Sequence, residues 1–257
     1  MESFLYYSPL EQFEIIPLFS LDFLIFTLRI TNQLFVLLLV IFFYCILFIS
    51  LTKSNDNSFY VIPTRWQTLV ESIYFLIVGM ITDNIGGTRS SYFFPLIFIV
   101  FLFIGGLNII GLVPYTFTVT SHIIATLALS LTIFLGMNII CVRTHGIKFF
   151  TLFLPSGTSL YLALLLVPVE LLSYISKPIS LAVRLFCNMV AGHILLKVLA
   201  GFAWSLTTAS IVLSSFQHIP LLILLPLFGL EFGVAIIQAF VFSLLICIYL
   251  NDALNLH

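Results

Sequence analysis

Charge is scarce in this 257-residue chain. It has only nine Lys or Arg and ten Asp or Glu residues, 7% of the total, whereas an ordinary soluble domain carries roughly 25%. So few charges cannot cover the surface of a water-soluble particle, and 61% hydrophobic residues exclude a disordered chain. The formal net charge of −1 leaves no concentrated basic face, which excludes nucleic-acid binding. The composition therefore predicts a protein that lives in a lipid bilayer.

Paired cysteines are lacking as well. Cys45, Cys141, Cys187 and Cys247 are far apart, and no CxxC pair or Cys/His cluster occurs. This spacing indicates neither a disulfide framework nor a zinc or iron–sulfur site, so we expect no metal and no cofactor. The first residues also lack the basic region of a signal peptide and the Arg-rich pattern of a transit peptide. We expect either a mature chain or one made in the compartment where it is used.

What the sequence has instead is long uncharged apolar runs. A helix needs about 20 apolar residues to cross a bilayer, so continuous runs favour helical spans over the strands of a barrel. We predict an all-α membrane protein with about five membrane-embedded helices and one interfacial amphipathic helix, in a single domain 1–257. The predicted elements are spans at 30–52, 90–113 and 118–142, the amphipathic helix at 64–83, and long helices at 158–200 and 205–250.

The two long segments exceed the thickness of a membrane. Turn signals at Pro155–Gly157 and Gly201–Ser205 mark their starts. Forty helical residues would reach about 60 Å, twice the roughly 30 Å hydrocarbon core. We therefore expect a tilted and curved helical hairpin, bent where proline interrupts the helical hydrogen bonds. The candidate positions are Pro168, Pro178, Pro220 and Pro226.

Basic residues predict the orientation, since they collect in the loops on the inner side of a membrane. Lys53, Arg65 and Arg89 flank the amphipathic helix, and Arg143 and Lys148 lie in the next loop on the same side. This distribution predicts an N-terminus outside and, after five crossings, a C-terminus inside.

Arg184 is the charge that most needs an explanation. No other charge lies within six positions of it, and its nearest charged neighbours, Lys177 and Lys197, have the same sign. A charge at bilayer depth is costly unless it is paired or hydrated. A guanidinium does not lose its proton in a protein, so Arg184 would be a permanent positive charge. Its partner is either a carboxylate of the same chain, Glu170 or Glu231, or a group on another subunit.

A second set of polar residues fits the pairing register of an antiparallel helical hairpin. If the long helices run antiparallel, His193 faces Glu231 and Asn188 faces Gln238, because the two pairs have nearly equal sums of positions. Titratable and amide side chains arranged in this way are what a proton path needs. Two alternatives stay open: a satisfied buried His–Glu pair with no transport role, and a zinc site that would need further ligands.

Two motifs resemble a known family. SLAVRLFCNMVAGH at 180–193 and LEFGVAIIQAFVFSLL at 230–245 resemble the long helices of subunit a of the rotary F-type ATP synthases. SPLEQFEI at 8–15 and the closing YLNDALNLH are similar to the mitochondrial members. Cys187 stands where the family usually has glycine, and the swapped positions of the buried histidine and glutamate are typical of mitochondria. The resemblance covers nearly the whole chain.

The resemblance implies a proton-conducting stator subunit of the mitochondrial inner membrane with no active site of its own. Its partners would be a rotor ring of small c-type hairpin subunits, other stator and peripheral-stalk subunits, and the lipid bilayer. Arg184 would face the ring, trigger proton release from ring carboxylates and block leak. The half-channel from the outer side would contain Asn188, His193, Glu231 and Gln238, and Glu170 would belong to the exit. The N-terminus would lie in the intermembrane space and the C-terminus in the matrix.

Two other functions fit parts of the sequence. A secondary transporter could use Arg184 to bind an anionic substrate, but such folds usually contain internal repeats, and no self-similar halves are found. A structural subunit of a redox complex would leave Arg184 without a partner. A cytochrome is not indicated, since no histidines are paired for haem ligation.

Overall fold

The computed structural model describes residues 10–22, 27–52, 65–86, 90–113, 116–146, 149, 160–209 and 218–254. These residues form six α-helices and two short strands. The helices are α1 Asn32–Thr52, α2 Arg65–Ile85, α3 Ser90–Gly111, α4 Ile123–His145, α5 Leu160–Ala209 and α6 His218–Leu254. All six are long and apolar enough to cross a membrane, by length and composition. The all-α fold class predicted from the sequence is confirmed.

The shorter spans agree closely with the helices. α1 and α3 have ends within two residues of the predicted 30–52 and 90–113, whereas α4 begins at Ile123 rather than at 118. The end of α3 is stabilised by Thr116, whose hydroxyl donates to the carbonyls of Ile110 at 2.6 Å and Val113 at 2.7 Å. Because the last carbonyls of a helix have no partner within it, this side chain favours ending the helix here.

The amphipathic helix predicted at 64–83 forms as α2. Ile77, Met80 and Ile81 are its buried residues, and they share one face of its second half. Trp66 and Phe75 are exposed. This helix is also apolar enough to cross a membrane, so its placement at the interface stays a prediction.

The long helices differ from the prediction at the connection between them. α5 continues through Gly201–Ser205, where a turn was predicted, and ends at Ala209. Gly201 has open space around its Cα, and the Ser205 hydroxyl donates to the carbonyl of Phe202 at 2.8 Å within the helix. One glycine inside a helix costs about 1 kcal/mol, too little to end a helix of this length. The other predicted turn, Pro155–Gly157, lies outside the described residues.

The prolines lie within the two long helices rather than ending them. Pro168 and Pro178 are inside α5 and Pro226 is inside α6. Pro220 lies in the first turn of α6, where the missing N–H would have had no helical partner. The 50 residues of α5 and the 37 of α6 correspond to about 75 Å and 55 Å at 1.5 Å per residue. Neither helix fits upright within a hydrocarbon core of roughly 30 Å.

The N-terminal segment contains an antiparallel hairpin that the sequence analysis did not predict. β1 Pro17–Asp22 pairs with β2 Thr27–Thr31. Asn32 joins this hairpin to α1: its side-chain oxygen accepts a hydrogen bond from the N–H of Ile16 at 3.3 Å, and its amide donates to the carbonyl of Glu14 at 3.0 Å. One side chain therefore fixes the entry of the chain into the first helix.

The chain divides into two compact units, each containing part of both long helices. Unit 1 comprises Met1–Ile46, Phe103–His122 and Leu185–Gln238, and unit 2 comprises Leu47–Leu102, Ile123–Arg184 and Ala239–His257. Leu112, Met189 and Ala235 form a buried cluster in unit 1. Burial differs strongly between helices: 44% of α6 is buried, but only 11% of Asn32–Ile49 in α1.

In unit 2 the end of α4 is fastened to the end of α6. The buried thiol of Cys141 donates to the carbonyl of Ala253 at 3.2 Å, and Nε2 of His145 donates to the carbonyl of Leu254 at 3.1 Å. Both acceptors lie in the last turn of α6, where backbone carbonyls have no helical partner. These contacts give hydrogen-bond partners to two carbonyls at the end of α6.

Candidate functional site

His193 and Glu231 face each other in unit 1. Nε2 of His193 lies 3.9 Å from Oε1 of Glu231, which is an ion-pair distance rather than a hydrogen-bond distance. Glu231 is only 6% exposed, and within the described residues neither of its carboxylate oxygens accepts a hydrogen bond. A buried carboxylate is costly in its charged form unless it is paired. A negative charge on Glu231 is compensated when His193 is protonated.

Gly192 provides the space for the Glu231 carboxylate. A Cβ atom at position 192 would lie 2.5 Å from Oε1 and 2.8 Å from Cδ of Glu231. Gly201, Gly229 and Gly233 have nothing within 4 Å of such an atom. The absent side chain at position 192 thus allows the carboxylate of α6 to approach the backbone of α5. Gly192 was not among the site residues predicted from the sequence, although it directly precedes His193.

Asn188 and Gln238 form the second contact between the long helices in unit 1. Nδ2 of Asn188 donates a hydrogen bond of 3.0 Å to Oε1 of Gln238. Gln238 is buried, at 4% exposed. Both pairs expected from the antiparallel hairpin register are thus in contact. Glu231 and Gln238 share one face of α6, whereas His193 and Asn188, five residues apart, point about 140° apart on α5.

Asn108 adds a buried polar group that the sequence analysis did not select. It is fully buried on α3, and its Nδ2 donates at 3.3 Å to the carbonyl of Ala235 on α6. Ala235 lies one turn after Glu231, so α3 places an amide beside the helix that carries the titratable carboxylate. A single Asn in the apolar run LFIGGLNIIG was the signal that could have found it.

Phe13 brings the N-terminal segment to this group. It closes a short 3-10 turn at Glu11–Phe13, and its ring meets the ring of His193 edge-on, with centroids 6.4 Å apart. An edge-to-face contact at this distance is a favourable aromatic arrangement. Nothing in the sequence pattern connected Phe13 to His193, which lies 180 residues further along the chain.

Arg184 has a different environment. It is exposed on α5, as is the neighbouring Val183. Among the described residues of unit 2, no carboxylate lies within 4 Å of the guanidinium, so Glu170 is not its partner there. Glu170 is half-buried on the same helix. The guanidinium is therefore accessible to a group outside this chain.

Lys177 has a partner that the sequence analysis did not assign. In unit 2 its Nζ lies 3.6 Å from Oδ2 of Asp252, 4.9 Å from the ring centroid of Tyr249 and 5.6 Å from that of Tyr174. From the sequence, Lys177 was only a charge of the same sign as Arg184. In the structure, its positive charge is compensated by Asp252 on α6.

Zinc at His193 and Glu231 would need further ligands. No group of three or more His, Cys, Asp or Glu side chains that could hold a metal ion occurs among the residues described. The described side chains in contact here are one imidazole, one carboxylate and amides.

Comparison with known proteins decides the family. Residues 34–251 match the family described as ATP synthase A chain. The chain belongs to this family. ATP synthase subunit a of Pylaiella littoralis is 50% identical over 250 residues, which cover 97% of this chain and 99% of that protein. ATP synthase subunit a of Chondrus crispus is 46% identical over 254 residues (99% and 98%), and that of Brassica napus 45% identical over 254 residues (97% and 97%).

Members of the ATP synthase A chain family are the proton-channel stator subunits of rotary ATP synthases, and this chain is one of these members. It is a multi-pass membrane protein of the ATP synthase complex. The resemblance seen in the motifs at 180–193 and 230–245 is thereby confirmed. The match concerns the chain as a whole, so the roles of single side chains stay predictions.

Proposed function

We propose that this chain carries protons through two offset half-channels to and from a ring of c-type hairpin subunits, with Arg184 between the half-channels. The observation that carries the proposal is an exposed, permanently charged residue on a membrane helix, with no carboxylate partner among the described residues. Such a charge is stable in a membrane only beside water or a compensating group. A carboxylate on each ring subunit would be that group.

The fixed charge gives Arg184 two tasks. A ring carboxylate that turns through lipid must be protonated, since its charged form is too costly there. Beside the guanidinium the ionised form is favoured, so the carboxylate releases its proton to the exit half-channel. The same positive charge repels a proton that would pass directly between the half-channels. Each proton that crosses 100 mV releases about 2.3 kcal/mol, which turns the ring only if that leak is blocked.

The entry half-channel contains His193, Glu231, Asn188 and Gln238. Glu231 and Gln238 are seven residues apart on α6, about 10 Å along the helix, and each contacts its partner on α5. A proton taken up by the His–Glu pair passes along the amides towards the ring. Asn188 lies one turn from Arg184 on α5, so the path ends beside the proposed ring contact.

The exit half-channel contains Glu170. This residue lies 14 positions before Arg184 on α5, about 21 Å along a straight helix. A proton released at Arg184 would reach this half-buried carboxylate through water between the two residues, and the carboxylate would pass it to the inner side. The two half-channels then open at different positions along α5.

We place the chain in the mitochondrial inner membrane, with the N-terminus in the intermembrane space and the C-terminus in the matrix. The bias of basic residues supports this orientation. Arg65 and Arg143 lie at the ends of α2 and α4 that face the inner side in this arrangement. Lys53, Arg89 and Lys148 lie outside the described residues. Other stator and peripheral-stalk subunits complete the set of partners.

The substitution Arg184→Ala tests the role of this residue. In membranes that contain the assembled complex, we expect loss of ATP synthesis and a passive proton leak through the complex. Arg65→Ala is the control, because Arg65 is an exposed arginine at the start of α2. Normal coupled synthesis by the Arg184→Ala complex would refute the mechanism.

Cys187 tests the contact with the ring. Cys187 is exposed and lies three residues after Arg184, whereas Cys45 is exposed on α1. In the intact complex we expect oxidation to join Cys187, but not Cys45, to a single cysteine placed near the carboxylate of the ring subunit. Equal cross-linking of both cysteines would contradict the assignment of this face of α5 to the ring.

A further inference from the structure

A groove of about 660 Å³ lies between α4 and α5, entirely within unit 2. Its walls are formed by large apolar side chains, among them Phe134 and Ile139 from α4 and Ile175 from α5. Ile139 is 67% exposed and Ile175 is 51% exposed. Large exposed apolar side chains on membrane helices are suited to contact with lipid acyl chains, which are equally apolar.

The polar groups inside this groove are engaged with each other. The Tyr174 hydroxyl donates a hydrogen bond to Oδ1 of Asn138, and the Tyr174 ring packs against Phe134 with centroids 4.8 Å apart. Because the amide oxygen and the phenol are paired, the surface that the groove presents is hydrocarbon. A hydrocarbon ligand matches this surface better than a polar one.

One end of the groove carries a positive charge. Arg143 lines it and is exposed in the last turn of α4. Among the described residues no carboxylate lies within 4 Å of its guanidinium. Nine residues separate Phe134 from Arg143, about 13.5 Å along the helix. This length is close to the depth of one leaflet, roughly half of the 30 Å hydrocarbon core.

We propose that this groove binds one acyl chain of an anionic phospholipid, whose phosphate is held by Arg143. The charge at the end where α4 leaves the membrane complements a headgroup, and basic pockets between membrane helices bind anionic lipid headgroups. A helix from another subunit would have to supply an acidic group opposite Arg143, whereas an anionic phospholipid carries its phosphate at that depth of the membrane. The proposal does not depend on the proton path.

Photolabelling of the intact complex tests this site. The complex is reconstituted into phosphatidylcholine vesicles that contain a trace of phospholipid with a diazirine in its acyl chain, with either a phosphatidylglycerol or a phosphatidylcholine headgroup. Labelled peptides are mapped by mass spectrometry. We expect the anionic probe to label residues 134–139 and 171–175 about fivefold more than the zwitterionic probe, the ratio for one basic residue near a membrane surface.

Three variants separate the contributions of charge and shape. Arg143→Gln should remove the fivefold preference, and Arg143→Lys should keep most of it, since a single charge is retained. Ile139→Trp should fill the groove and abolish labelling by both probes, while Arg65→Gln should change nothing. Equal labelling by both headgroups, an unchanged preference in Arg143→Gln, or cross-links from the groove to another subunit in place of lipid would each overturn the proposal.

Discussion

Gly192→Ala is the smallest change that should disturb the proposed proton entry. A methyl group at position 192 would lie 2.5 Å from Oε1 and 3.1 Å from Cγ of Glu231, whereas ordinary contacts of a Cβ atom are 3.4–4 Å. Either the carboxylate moves by about 1 Å, or α5 and α6 separate by a similar distance. In both cases Glu231 loses its position 3.9 Å from His193.

The size of the effect follows from the cost of overpacking. Extra methyl groups in a filled core cost about 1–3 kcal/mol. If this strain is relieved by displacing the carboxylate, the population with Glu231 facing His193 falls about 5- to 150-fold. We therefore expect proton-driven ATP synthesis to fall on the order of tenfold, with the complex still assembled, because only one methyl group is added.

The assay compares two glycines of α5. Gly192→Ala and Gly201→Ala add the same methyl group to one helix, but nothing lies within 4 Å of a Cβ atom at Gly201. Passive proton conduction and ATP synthesis are measured in membranes with equal amounts of complex. Gly201→Ala should leave both rates unchanged. Wild-type rates in Gly192→Ala would show that the placement of Glu231 against α5 does not matter for proton entry.

Two further substitutions test the contacts around this site. Gln238→Leu removes the acceptor of the hydrogen bond from the Asn188 amide. We expect a loss of about 0.5–1.5 kcal/mol of stability, measured by thermal inactivation of the complex, and slower ATP synthesis. An unchanged rate of synthesis would exclude Gln238 from the proton path. Gly106→Ala would place a Cβ atom 2.8 Å from both the hydroxyl and Cε2 of Tyr44 and should lower the yield of assembled complex on native gels. Adding Tyr44→Ala, which removes both atoms, should restore part of that yield, and no recovery would argue against this overlap as the cause.

The helices were predictable because a membrane-spanning helix requires a continuous run of about 20 apolar residues. Uncharged runs of 20 or more residues gave α1 and α3 within two residues at each end. The two polar pairs between α5 and α6 were predictable for a related reason. A polar residue in an apolar helix is rare, and the antiparallel register limits which ones can meet.

The features that sequence reasoning missed depend on contacts between distant parts of the chain. The strands of the hairpin, Pro17–Asp22 and Thr27–Thr31, are too short for their alternation to stand out in an apolar sequence. The space at Gly192 exists only because a carboxylate 39 residues later approaches it. The end of α5 was misplaced because Gly201 was weighted as a helix breaker, although an apolar helix tolerates it.

The contrast in burial between α1 and α6 has an evolutionary consequence. With 11% of its span buried, α1 packs little against the rest of this chain, and one large apolar residue there can replace another with little effect on that packing. α6, with 44% buried, has many positions where a change of one methylene alters packing. Neutral drift should therefore accumulate in the first helix, while the last helix diverges slowly and only through paired changes with its neighbours. A saturation library of both helices would show this difference in tolerated substitutions.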